Sequence, residues 1–385
     1  MLGLFRDPDF VKRQRVRLAE ACGRHLDFLD ACVDRLSQAP LLDVRAATEF
    51  NSWLSAELHA RSRGGQDRLL WHQLRKVPLA LIMERADNEI LSHVIRWNEL
   101  ALFESDRFFA GIDLSDEIHG SVHLVSKSCW IIETTFGYRQ LMSDLMIVFW
   151  ETFTGRCKVD PYAHLGANFD LAAQGRPIEP YPSASIEHVH QTEWLARFAK
   201  MFLFAHELGH VNALKTNLKF SRDIDEEVYA DEFAAELHIA AGLMLVPPMS
   251  KHVAAGRIRT VSDRREFFAK HPGYSKFVEL DRVGFSVNQN VRAQLLRDSG
   301  VYADEEELTQ GQALTGMLWV VPILVFKMIE QLELRRPATQ RQKLTHPCAA
   351  DRIAAFWKRW PNDNMRMAMY AVFGNTLDRL FGRTG

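Results

Sequence analysis

The segment Thr192–Leu214, which holds FAHELGH, constrains this chain more than any other. Trp194, Phe198, Met201, Phe202 and Ala205 recur at helical spacing, so the stretch predicts a helix with His206, Glu207 and His210 in its middle. Residues four apart on a helix share one face, about 6 Å apart along the axis. Two imidazoles so placed can converge on one metal ion with Zn–N distances of about 2.0 Å. Glu207 follows the first histidine and is expected to stand beside the metal, where a carboxylate can take a proton from bound water.

A catalytic zinc needs a third protein ligand and an open position, so a second element must reach the two histidines. The stretch Glu226–Leu245 predicts another helix, ended by Pro247 and Pro248. Within EEVYADEFAAE, Glu227 and Asp231 lie four apart. Glu227 is the expected third ligand, and Asp231, one turn on, the acceptor for the other ring N–H of a ligand histidine, with His206 the first choice. Glu226, Glu232 and Glu236 are alternatives to Glu227, and Glu226 is the nearest rival. A one-residue shift turns the helix face by about 100°, and only Glu227 has an aspartate four residues later. Tyr229, in the same run, reads as a core aromatic or as a donor to an oxyanion.

Other histidine pairs read differently. His188 and His190 sit in a Pro-rich stretch without a neighbouring Cys or Asp and are expected at the surface. His119 and His123 fall in a segment that reads as strand, where residues four apart share a face but stand too far apart to chelate.

Around these motifs the chain reads as mainly α, a helical bundle about the H-E-x-x-H helix with a small sheet of two to four short strands. Residues 1–155 are expected to form a helical N-terminal region, with strands near 96–132 and a helix over Leu141–Phe153. Residues 156–191 carry Pro161, Pro177, Pro180 and Pro182 with Gly166 and Gly175, and predict a connecting loop. Residues 192–385 are expected to be helical and to hold the site, either apart from the N-terminal part or continuous with it.

The net charge of −2 leaves no field to gather nucleic acid or anionic membrane. The five cysteines form no C-x-x-C pair and read as reduced thiols of a cytoplasmic protein. MLGLFRDPDFVKRQR lacks an apolar signal-peptide core. Leu314–Ile329 is apolar but shorter than the roughly 20 residues of a membrane span, and it carries Pro322 and Lys327, so a buried, Pro-kinked helix is expected.

HELGH followed by E-x-x-A-D resembles the gluzincin metallopeptidases, and THPCAADRI (345–353) resembles the H-P-x-x-x-x-R-I signature of HtpX-type, CaaX-prenyl-protease-type and Lit phage-exclusion peptidases. The first two groups are membrane-embedded, so a soluble Lit-like or minigluzincin-like protein fits better. ImmA/IrrE-type peptidases are the second choice. The resemblance implies an α+β zincin that uses one catalytic Zn2+ to hydrolyse a peptide bond in a protein or peptide substrate, possessing a trigger if it serves phage defence. It implies His346 as a holder of the substrate carbonyl or oxyanion, and Arg352 as an anchor of its segment or a substrate contact. It also implies an upstream edge strand for an extended substrate, for which Arg107–Val125 is the candidate. A catalytically inactive zincin, using its metal for sensing or for an interaction, is the alternative.

Overall fold

The structure is a computed structural model that describes residues 8–38, 44–64, 66–98, 106–126, 128–182, 189–247, 249–270, 304–335, 348–359 and 363–382. It is mainly α, with one three-stranded mixed sheet among the described residues. The chain divides into two units, Met1–Glu89 with Asp106–Tyr138, and Ile90–Ser105 with Arg139–Gly385.

The first unit contains α1 (Pro8–Cys22), α2 (Leu26–Gln38), α3 (Val44–Arg61) and most of α4 (Arg68–Arg96). Leu18, Phe28, Cys32, Leu58, Leu74 and Val77 form a shared apolar core, which Ile112 and Phe136 also enter. The sheet follows as β1 (Arg107–Asp113), β2 (Gly120–Ser126) and β3 (Cys129–Thr135), in the order β1-β3-β2. β1 runs parallel to β3 and β2 antiparallel to it. The expected edge-strand region therefore holds both edges of the sheet. They differ: Asn88 of α4 accepts from Ala110 N at 2.9 Å and donates to Ala110 O at 3.0 Å, taking the place of a strand neighbour on β1. β2 carries the exposed Leu124 and Val125.

The second unit is helical, with α5 (Phe136–Phe153, of which Arg139 onward belongs here), α6 (Pro161–Ala173), α7 (Val189–Lys215), α8 (Asp223–Leu243), α9 (Met249–Ala254), α10 (Val261–Lys270), α11 (Glu305–Arg335), α12 (Ala349–Arg359) and α13 (Asp363–Phe381). Residues 156–191 are not the connecting loop that their prolines and glycines suggest, for they contain α6 and lie within this unit. Pro161 opens that helix at a position needing no N–H, and Asp160 caps it by accepting from Ala163 N at 2.7 Å. α5 begins five residues before the expected Leu141, directly after β3.

α7 and α8 pair most extensively, α11 packs on α7, and α12 packs on α8. At the crossing of α7 and α8, a Cβ added to Gly209 would lie 2.8 Å from Ala230 Cα. The glycine of HELGH and the alanine of E-x-x-A-D thus let two backbones approach where the motif side chains must meet. α7 ends with Asn217 in the left-handed region (φ 53°) and Leu218 N bonded to Ala213 O at 3.0 Å, a C-terminal cap that Asn tolerates.

α11 is longer than the apolar run Leu314–Ile329 suggests, and it is the one helix among the described residues long and apolar enough to cross a membrane, by its stretch Thr309–Arg335. Burial rather than length separates it from a span: 71 % of its most apolar window is buried within the protein. Pro322 has no N–H for the carbonyl four residues earlier, Leu318 O. His238 of α8 supplies the missing donor, with Nε2 at 2.9 Å from that oxygen. The ring stands edge-on to Phe198 and Phe202 of α7, and an added Cβ on Gly242 would meet Leu318 at 2.2 Å.

Candidate metal centre

The antiparallel crossing of α7 and α8 sets the register of the site, since each step up α7 meets a step down α8. His206 Nε2 lies 3.3 Å from Glu227 Oε2, and His210 Nε2 lies 3.6 Å from Glu227 Oε1 and 3.2 Å from His206 Nε2. The two rings are nearly perpendicular at 85°. Among the described residues, His206, His210 and Glu227 form the one group of three whose donor atoms, within 4.8 Å of one another, could hold an ion.

The donor set fits a small divalent cation. Ligands about 2.0–2.1 Å from a tetrahedral zinc stand roughly 3.3–3.4 Å apart; the two Nε2 atoms are 3.2 Å apart, and the Glu227 carboxylate lies 3.3 Å from His206 Nε2 through Oε2 and 3.6 Å from His210 Nε2 through Oε1. Two imidazoles and a carboxylate are also the donors that such an ion prefers.

Behind the donors stand further carboxylates. His206 Nδ1 is 3.0 Å from Asp231 Oδ1, as the four-residue spacing from Glu227 predicts. Asp231 is fully buried, and Arg352 of α12 grips it with Nε to Oδ2 and Nη2 to Oδ1, each at 2.7 Å. The guanidinium lies 5.0 Å from the Phe326 ring centroid and 3.8 Å from Glu227 Oε2. Burial opposes the charge on Asp231, but Arg352 and His206 outweigh it and hold the carboxyl below its usual range. Burial likewise opposes a charge on His206, yet Asp231 and Glu227 raise its pKa to about 10. The same negative surroundings would favour a divalent ion in place of that proton.

Glu207 is 6 % exposed, on the same turn as His206. Of the rivals to Glu227, Glu226 meets His210 Nδ1 at 2.9 Å, on the far side of the ring from Glu227, and Glu232 pairs with Lys358 of α12 at 2.8 Å. Tyr229 stacks on Phe233 and meets Phe220 at a tilt, and its hydroxyl accepts from the Asn212 amide, so its ring packs among aromatics. Arg352, which the resemblance also made a candidate for touching substrate, is 3 % exposed and engaged by Asp231, so the anchoring role is the one its position fits. His346, His188 and the side chain of His190 lie outside the described residues. His119 lies just before β2, and His123 within it bonds Ser121 at 2.8 Å.

Two partnerships escape a reading by motif: Glu226 with His210, and Asn212 with Tyr229. The first follows from the antiparallel register once His206 is matched with Asp231, because His210 lies one turn up α7 and Glu226 about one turn down α8; Asn212 and Tyr229 are out of step with that register, and their contact is visible only in the folded chain. Compared with protein-family models, with curated proteins and with solved structures, the chain matches none.

Proposed function

We propose that this chain is a soluble, cytoplasmic, zinc-dependent metallopeptidase of the gluzincin kind, hydrolysing a peptide bond in a protein substrate. The observation that carries the reading is the convergence of His206 Nε2, His210 Nε2 and the Glu227 carboxylate at the crossing of α7 and α8. His206, His210 and Glu227 would hold the metal, and Asp231 would fix the ring of His206 with Nε2 facing inward. Arg352 keeps Asp231 ionised and in place. When bound, zinc would lower the pKa of a water to about 7 and polarise a carbonyl beside it.

The remaining chemistry belongs to Glu207. Its carboxylate takes a proton from the attacking water as the oxygen bonds to the carbonyl carbon. It then returns that proton to the amide nitrogen as the C–N bond breaks. His346 is the candidate for steadying the oxyanion, a contact worth about 3–4 kcal/mol in such sites. The likeness of THPCAADRI to the Lit signature adds the proposal that cleavage is triggered, by phage infection if the likeness extends to role.

Glu207→Gln is expected to bind zinc as the wild type does and to lose hydrolysis by at least about 100-fold. Zinc content of both purified proteins, with mass spectrometry of a cellular proteome after expression of each, checks this. Equal cleavage by the variant would remove Glu207 as the base. Zinc retained with no product from the wild type, even during phage infection, would favour the inactive, metal-stabilised alternative.

A further inference from the structure

We infer that Glu226 is a positioning residue for the metal centre, its carboxylate receiving the Nδ1–H of His210 and so turning the Nε2 lone pair toward the ion. The inference rests on the metal reading above. It gives the second histidine what Asp231 gives the first, and it departs from the role of rival ligand that sequence alone suggests for Glu226. Oε1 of Glu226 lies 2.9 Å from His210 Nδ1, while His210 Nε2 is the atom that faces Glu227 and His206. An ionised carboxylate can only accept, so with Glu226 ionised the proton of this bond belongs to Nδ1. The two nitrogens of an imidazole point away from each other, so a group bonded at Nδ1 cannot share an ion bound at Nε2.

The two outer carboxylates differ in their setting. Asp231 has a fully buried side chain and is clamped by Arg352, whereas the Glu226 side chain is 38 % exposed. Glu226 sits with Asp223 and Asp225 in the first turn of α8, where the helix dipole favours negative charge. Water reaches this bond, so dissolved salt weakens its hold on His210 more than it weakens the buried contact of Asp231 with His206. The His210 side of the centre is therefore the adjustable one.

The test uses the full chain, with zinc affinity measured by chelator competition and the geometry read from the visible spectrum of the cobalt-substituted protein. Glu226→Ala is expected to lower zinc affinity by about 10-fold and to alter the cobalt bands. Glu226→Gln should restore most of both, because its amide oxygen still accepts from Nδ1–H yet supplies no anionic ligand. Glu226→Ala with wild-type affinity and an unchanged spectrum overturns the inference while leaving the centre intact. Glu226→Gln as damaging as Glu226→Ala overturns it in favour of direct ligation. A wild-type chain that binds no zinc overturns the inference together with the metal reading beneath it.

Discussion

His206 on α7 and His238 on α8 are both buried, at 8 and 0 % exposure, yet their surroundings drive them to opposite charge states. Among the described residues His238 meets the edges of Phe198 and Phe202 and bonds one carbonyl, and burial pushes its pKa down to about 4. His206 feels the same burial but faces Asp231 and Glu227, which lift it to about 10. The first is a neutral donor that repairs the backbone where Pro322 interrupts α11. The second stands where negative charge gathers and a cation is welcome. A buried histidine is thus structural or functional according to which oxygens its two nitrogens meet, and burial alone does not decide.

The sharpest way to break this contrast is to delete each ring. His206→Ala is expected to abolish tight zinc binding, with the apolar core of its helix untouched. His238→Ala should still bind one zinc but lose about 2–4 kcal/mol of stability, from the vacated space and the orphaned Leu318 carbonyl. Calorimetric titration with zinc and denaturant unfolding of both variants measure the two effects. Loss of zinc in His238→Ala alone would invert the assignment.

A second comparison lies within the centre, between Asp231 and the guanidinium that holds it. Arg352→Leu leaves a fully buried carboxylate with His206 as its remaining cationic partner, so a loss of about 3–5 kcal/mol is expected. Asp231→Ala strands Arg352 in turn, with Glu227 Oε2 3.8 Å away, so it should also lose stability, and it should in addition lower zinc affinity by about 10 to 100-fold. Unfolding curves and chelator competition on both variants separate these outcomes, and an Arg352→Leu protein as stable as wild type would deny Arg352 its anchoring role.

The contrast also explains what could be read from residues alone. The spacing of Trp194, Phe198, Met201 and Phe202 marks α7 to within a few residues of its observed ends, and the four-residue step from Glu227 to Asp231 encodes the face that α8 turns to His206. Gly209 and Ala230 carry the crossing itself, but smallness becomes informative only once the two helices are known to touch. His238 could not be singled out, because its partner is a backbone carbonyl 80 residues away, exposed by a proline on another helix. α6 stayed hidden for a different reason: a proline at a helix start and a proline in a loop look alike unless the capping Asp160 is weighed with it. The parallel pairing of β1 with β3 skips β2, and no local pattern announces such a pairing.

The smallest expected effect is a difference in pH response. His238 and His93, the latter bonded through Nε2 to Ala241 O at 2.9 Å, are both pushed down by burial to about 4 from 6.5. As pH falls below 6.5 the unfolded chain takes up protons that the folded protein refuses until about 4. Stability therefore drops on the acid side, by up to about 3 kcal/mol for each ring. His206 in the metal-free protein works in the other direction. Its raised pKa adds stability that is complete below 6.5 and is lost as pH rises through about 10. Glu84, lifted to about 8 by burial and by Asp87, adds its own loss as pH rises, so each variant must be compared with wild type. His238→Gln, whose amide can still donate to Leu318 O, should remove about half of the acid-side loss assigned to the two rings. Zinc should flatten the alkaline side, because the ion replaces the His206 proton. An acid limb unchanged in His238→Gln, or an alkaline limb unmoved by zinc, would mean that these two rings, one neutral and one protonated, are not in the charge states their neighbours impose.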